Sequence, residues 1–454
     1  MVTSLSKSWL PSLVATVFTA AYTLFALGRH ATLRTYGFDL GIFVQAVRSY
    51  AEGRLPVSDI RDPGLILLGD HFSPIIALIA PVFRLFPTAE TLLVVQASLF
   101  GLSVFTVARV ATRLLSPVAG VVIGTSYGLS WGLQTALAFD FHEIAFAVPL
   151  IALALDAYLS GRYRRAVAWA APLVLVKEDL GLTVAVLGLL IAARRGHRGL
   201  GLGTAVSGLA AALLTVFVLI PQFSADGAYR YLGPGGLTPT MAGHRGELFD
   251  PRKLELLGLL LAPTLFLALR SPLVLLALPT LAWRLAGTNE AYWLPDFHYD
   301  AVLMPILFLA LVDAAVRLRP AVPRWRSLST AAAAVLLTAA LVLAARFPLR
   351  ELLTPGFGAQ TEETAAAHRL LALIPDGVSV GTENNLMPQL VARTRVCPIE
   401  PEHRPEWTLA EVSRQGELAA DIAVARSVRY DGKYLLIQHR RDQSELARTP
   451  QNPA

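Results

Sequence analysis

A single cysteine, Cys397, stands in 454 residues, so no disulfide can form within the chain and a cysteine-based metal or redox site is disfavoured. Charge is scarce too, at 16% of residues, against about 25% in an ordinary soluble domain. No phosphate-binding glycine loop, G-x-S-x-G elbow or H-E-x-x-H pattern occurs in the context such motifs require. A cytosolic nucleotide is therefore not expected as a direct substrate. Nor is there an internal duplication of the kind many transporters carry. What the chain has instead is apolar surface: 54% hydrophobic residues and a mean hydropathy of +0.53, more than one soluble core could bury. It reads as a polytopic membrane protein. The net charge of +6 and pI of 9.5 do not imply nucleic acid, because the basic residues fall mostly in short loops between apolar runs, where they set topology.

Apolar runs long enough to span occur near 9–29, 89–108, 118–137, 145–160, 199–221, 253–270, 272–286, 300–316 and 328–345, with a shorter pair at 166–176 and 180–193. These amount to about eleven transmembrane helices. The first follows Lys7 and fits a signal-anchor better than a cleaved peptide, since many spans follow it. The run 71–87, "HFSPIIALIAPVFRLFP", is broken by three prolines. Treating it as interfacial or re-entrant, with the N-terminus inside, puts every strongly basic interspan loop on the cytoplasmic side. Among these are Arg109 with Arg113, Arg162 with Arg164 and Arg165, Arg194 with Arg195 and Arg198, and Arg317 with Arg319.

The same topology sends the acid-bearing junctions to the outer face. They are "FDLG" (Asp39), "LGDHFSP" (Asp70, His71), "FDFHE" (Asp140, His142, Glu143), "VKEDLG" (Lys177, Glu178, Asp179) and "PDFHYD" (Asp296, His298, Asp300). Ionisable groups at membrane depth are costly and commonly functional. Each junction has a plainer alternative: "VKED" as a hairpin tip whose lysine neutralises an acid, "FDFHE" as a span end with aromatic anchors, and Asp70 as the cap of a proline-broken helix. In "FDLGIFVQAVRSYAEG" a helix is expected, with Asp39 at its N-cap and Gly53 ending it. His71, His142 and His298 with nearby carboxylates could hold a divalent cation, magnesium or manganese rather than zinc. No spacing requires one, and no metal ligands are assigned.

After Arg346 charge rises and apolar runs shorten. "VSVGTE" and "YLLIQ" read as strands and "TEETAAAHRLLALI" as a helix. The chain is thus expected to be mainly α: a membrane domain, 1–346, with its first outer loop at 30–88, then a small extracytoplasmic α/β domain, 347–454, ending in a disordered tail. The glycine- and proline-rich loop 222–252 is a candidate lid.

The succession "FDLGIFVQAV", "GDHFSPIIALIAPVFRLFP", "FDFHEIAFAVPLIALALDAYL", "LVKEDLGL", "YRYLG" and "HYDAVLMPILF" resembles an uncharacterised family of bacterial integral-membrane proteins, a domain of unknown function, over nearly the whole chain. That family in turn resembles the GT-C glycosyltransferases, which use polyprenyl-phosphate sugars outside the cytoplasmic membrane. The resemblance implies a GT-C-like fold with the lipid bilayer and a lipid-linked sugar donor as partners. It also implies transfer of a sugar to a cell-envelope acceptor with Asp39, in the first outer loop, as base. Asp70, His71, Asp140, His142, Glu143, Lys177, Glu178, Asp179, Arg230, His298 and Asp300 would then bind substrate, with Lys177, Arg230, His71 and His298 as candidate partners of the leaving phosphate. Unlike many GT-C enzymes, this chain has one acid in "FDLG" and no close acidic pair. A transporter or lipid flippase using "VKED" and "FDFHE" as a polar path, or a non-catalytic envelope scaffold, are the alternatives.

Overall fold

The computed structural model describes residues 9–232, 250–287, 289–321, 325–400 and 405–440. Most of the expected lid, the C-terminal tail and Lys7 lie outside the described residues. Helix α1 (Leu10–Ala31) has Pro11 in its first turn, where the missing amide costs nothing, and ends with Arg29 and His30 at its negative pole. A π-helical turn, Gly37–Gly41, leads into α2 (Ile42–Ala51), and Gly53 stops it in the left-handed conformation at φ 75°. Asp39 is not an N-cap: it lies inside the π-turn and makes no cap hydrogen bond. The cause is tertiary, because partners distant in sequence accept the amides of Tyr36, Gly37 and Phe38.

Strands β1 (Val57–Ser58) and β2 (Leu65–Ile66) pair antiparallel in the loop that follows. The run 71–87 forms a 3₁₀ segment, Pro74–Ile79, and a short helix, α3 (Ala80–Leu85). Together they extend roughly 20 Å, short of the ~30 Å hydrocarbon layer. They expose Leu78, Val82, Leu85 and Phe86, the apolar stripe an interfacial element needs.

Four helices among the described residues are long and apolar enough to cross a membrane: Leu10–Ala31, Ala89–Leu114, Arg198–Phe223 and His298–Leu318. Other runs expected as single spans are interrupted. The run 118–137 splits into α5 (Pro117–Gly128) and α6 (Trp131–Ala138), which follow α4 (Ala89–Leu114). Backbone carbonyls freed in an apolar interior must find donors. Here Tyr22 Oη donates to the Gly128 carbonyl at 2.6 Å and Gln134 Nε2 to that of Leu129 at 2.6 Å. Helices α7 (Ala147–Leu159) and α8 (Tyr163–Ala170) precede α9 (Leu180–Ala192) and α10 (Arg198–Leu214), which continues through a π-turn into α11 (Ile220–Phe223). The run 253–270 ends α12 (Pro251–Leu261) at a 3₁₀ turn through Pro263, after which Leu265 and Phe266 are left-handed. The run 272–286 is 3₁₀ over Pro272–Ala277 before α13 (Leu278–Ala286). Helices α14 (Leu303–Leu318) and α15 (Trp325–Ala344) complete the helical part.

A mixed five-stranded sheet follows, in the order β4-β3-β5-β7-β6. Strand β3 (Ser379–Thr382) lies parallel to both β4 (Arg395–Pro398) and β5 (Trp407–Glu411). Strands β6 (Ser427–Asp431) and β7 (Tyr434–Gln438) form a hairpin, and β7 pairs antiparallel with β5. The helix preceding the sheet, α16 (Glu362–Leu371), opens with a reciprocal Thr361–Thr364 capping box.

The chain's polar groups collect at two ends of the same helices. Helices α4, α7 and α14 pack on one another. Gln96 near the start of α4, Glu143 before α7 and His298 before α14 belong to one end. At the other, Asp156 of α7 binds Arg109 and Arg113 of α4 at 2.5 and 2.7 Å, and Asp313 binds Arg317 at 2.7 Å. On α4 alone, Gln96 and Arg109 are separated by about 20 Å of helix rise.

Candidate functional site

Asp39 is presented by the π-turn with its carboxylate 3.2 Å from His142 Nε2. Nδ1 of His142 is buried and has no hydrogen-bond partner, and neither has Nδ1 of His298. The two imidazoles stack at 3.7 Å with 20° between their planes, packed by Phe139 on one flank and Tyr299 on the other. Gln96 holds the segment in place: its Nε2 donates to the Asp140 carbonyl at 2.7 Å, and its Oε1 accepts the His142 amide at 3.1 Å.

Asp140 adopts a left-handed backbone, φ 62°, which places its carboxylate under the first loop to accept the Tyr36 amide at 2.7 Å. Burial pushes the Asp140 carboxyl well above its ordinary range; the Tyr36 amide and Arg29 pull it down, and Asp39 adds to the rise.

One residue beyond His142, Glu143 accepts from Lys177 Nζ at 2.9 Å in an almost fully enclosed pair. Burial alone would raise Glu143, but Lys177, His142 and His71 outweigh it and hold its carboxyl low. Lys177 is held well above its usual value: burial disfavours its charge, yet Glu143 and Glu178 overcome that. Glu178 Oε1 lies 2.7 Å from His71 Nδ1 and accepts from Tyr229 Oη at 2.7 Å, while Oε2 accepts the Phe72 amide at 3.3 Å. Tyr231 stacks on the His71 ring at 4.7 Å. Against burial, His71 lowers the Glu178 carboxyl to about 2. The His71 imidazole is raised, because Glu178 and Asp70 overcome burial and the repulsion of Lys177. Asp179 accepts from Trp283 Nε1 at 2.9 Å, and burial raises its carboxyl.

Asp39, His142, His298, Glu143, Lys177, Glu178 and His71 are thus linked by contacts or direct electrostatic influence, with Asp140 and Asp179 in the wall. Two residues expected to bind substrate are not brought in, and a third reaches the network only through its charge. Asp300 is taken up by Arg284 in a fully buried two-pronged ion pair at 2.6 and 3.1 Å. Asp70 faces Arg61 at 3.6 Å and acts on His71 electrostatically. Arg230 faces Asp62 at 3.7 Å, both about half exposed. Among the described residues no three His, Cys, Asp or Glu side chains are grouped to hold a metal ion. Sequence reasoning passed over Gln96, Arg284, Tyr229 and Trp283. Gln96 and Arg284 had a signal, being polar residues inside the apolar runs 89–108 and 272–286; Tyr229 had one in opening the segment "YRYLG", and Trp283 had none.

The family model described as predicted membrane protein (DUF2079) matches residues 29–435. No curated protein matches the chain. Among solved structures, ArnT from Cupriavidus metallidurans bound to undecaprenyl phosphate is similar at TM-score 0.53 and 15% identity, over 93% of this chain and 97% of that one. The same protein in the apo state gives a TM-score of 0.52 at 15% identity and the same coverage. At that identity the likeness is one of fold.

Proposed function

This chain belongs to the DUF2079 family of predicted membrane proteins, and from that premise we propose that it is a GT-C-like membrane glycosyltransferase. It moves a sugar from a polyprenyl-phosphate donor to a cell-envelope acceptor on the outer face. The carrying observation is the contact of Asp39 with His142 inside a buried network that also holds Lys177 and His71. A fold shared with a protein crystallised with undecaprenyl phosphate supports the donor class.

The chemistry follows from the groups present. The acceptor hydroxyl gives its proton to Asp39, and its oxygen forms the new bond to the anomeric carbon. The bond from that carbon to the lipid phosphate breaks, and the electron pair leaves with the phosphate. His142, with Nε2 3.2 Å from the Asp39 carboxylate, faces the base and orients it. Lys177 and His71 meet the charge of the leaving phosphate with positive charge and N–H donors. The first turns of α7 and α9 open beside Glu143 and Asp179, so the positive poles of two helices add to that field.

Asp39→Asn is the direct test. With purified protein, a polyprenyl-phosphate sugar and envelope acceptors, transfer is expected to fall by about 10²–10⁴ while the melting temperature is retained. Undiminished transfer by the folded variant would remove Asp39 as base. Lipid crossing in proteoliposomes without a new covalent product would replace transfer by transport.

A further inference from the structure

The turn that presents Asp39 is held by the sheet domain. The Gly37 amide donates to the Asn384 carbonyl at 2.7 Å, and the Phe38 amide donates to Asn384 Oδ1 at 2.9 Å. One residue thus accepts two consecutive amides just ahead of the carboxylate. Asn384 lies two residues past β3, at the carboxyl end of the parallel strands, where open α/β sheets place their functional loops. It is itself braced: the neighbouring Glu383 accepts the Glu411 amide at 2.8 Å, and a Cβ on Gly37 would collide with Met387.

The domain is also fastened on both sides of the turn. Before it, Gln389 Nε2 donates to the His30 carbonyl at 2.9 Å, and His368 Nε2 meets the Ala31 carbonyl at 3.0 Å. After it, Gln45 and Arg48 donate to the carbonyls of Val396 and Thr394 at 3.1 and 3.0 Å.

Local preference points elsewhere. An aspartate ahead of an amphipathic helix ordinarily caps it, accepting amides of the first turn, and a π-turn is a rare conformation that needs outside support. Asn384 supplies that support. With Phe38 and Gly37 tied to the sheet domain, the Asp39 carboxylate is directed at His142 and not at the amides of α2. We propose that Asn384 is a positioning residue that selects the π-turn over the N-cap, making the sheet domain the outer half of the site.

The consequence for transfer rests on the function proposed above; the clamp itself does not. Residue-resolved hydrogen exchange of the full-length protein in nanodiscs tests the clamp without substrate. Asn384→Ala should speed exchange of the Phe38 amide about tenfold, the loss of one hydrogen bond. The Tyr36 amide, held by Asp140, should stay protected. Asn384→Asp keeps the accepting oxygen and should restore protection at Phe38. Arg429→Ala, on an exposed part of the same sheet, should change neither amide. Unaltered exchange at Phe38 in Asn384→Ala, or equal loss in Asn384→Asp, overturns the clamp.

Kinetics then test the link to transfer. Asn384→Ala should lower kcat about tenfold at unchanged donor KM, and Asn384→Asp should recover it. An intact exchange result in a wild type that transfers nothing would leave the clamp standing and remove the transferase. Full kcat in Asn384→Ala with a deprotected Phe38 amide would show that the turn's placement does not serve transfer and overturn the positioning role.

Discussion

At the residue scale the site is a set of charges that can be buried only because each meets another. Glu143 and Lys177 are 3% and 11% exposed as side chains, so removing one partner leaves an uncompensated charge in a poor solvent. Lys177→Met is expected to cost about 3–5 kcal/mol. The double variant Glu143→Gln/Lys177→Met should cost much less than the sum of the single changes, measured by chemical or thermal unfolding in detergent. The Glu178–His71 pair gives a pH signature. Glu178, depressed to about 2, contributes stability present above the ordinary glutamate pKa of about 4.3 and lost as pH falls through the folded value. His71, raised in the fold, contributes stability that is full below about 6.5 and lost as pH rises through its folded pKa. The melting difference between wild type and His71→Gln should therefore be largest between about pH 4.5 and 6.5 and shrink towards pH 9. The sequence marked these residues by their cost at membrane depth, but it could not say which acid met which base. Asp300 looked as available as Glu143 until Arg284, sixteen residues away on α13, proved to occupy it.

At the scale of elements, hydropathy identified the apolar segments but not their breaks. A run such as 118–137 carries no charge to mark its interruption, and Gly128, where α5 ends, sits where a Cβ would strike the ring of Phe18. Close helix packing by small residues is the other device. Helices α9 and α10 meet through Gly181, Gly188, Gly201 and Gly208, and a Cβ at Gly188 or Gly201 would collide with the backbone of Ala205 or Ala192. Gly188→Val is expected to destabilise the protein by about 1–3 kcal/mol through overpacking. Gly203→Ala lies on the same helix as Gly201 but faces open space, and is expected to be neutral or to stabilise by up to about 1 kcal/mol. Thermal melts of the two variants separate a packing role from simple helix propensity.

At the scale of the whole molecule, the arginine-rich end and the acid–imidazole end are opposite poles of one helix bundle. The excess of arginine in the short loops predicts which pole faces the cytoplasm. In a Cys397→Ser background, a cysteine at Arg165 should react with a membrane-impermeant thiol reagent only after the cells are opened, and one at Asp226 in intact cells. The reverse pattern would put the candidate site in the cytoplasm. The amino-acid sequence determined the class of the molecule, its apolar segments, the basic loops and the candidate polar junctions, because transfer free energy and loop charge are properties of short stretches. Pairing was decided by tertiary structure alone. His142 meets Asp39, Glu178 takes His71, Arg284 withdraws Asp300, and Asn384 turns a would-be helix cap towards an imidazole. Each is a contact between residues distant in sequence, whose worth depends on burial that exists only once the helices and the sheet have closed on one another.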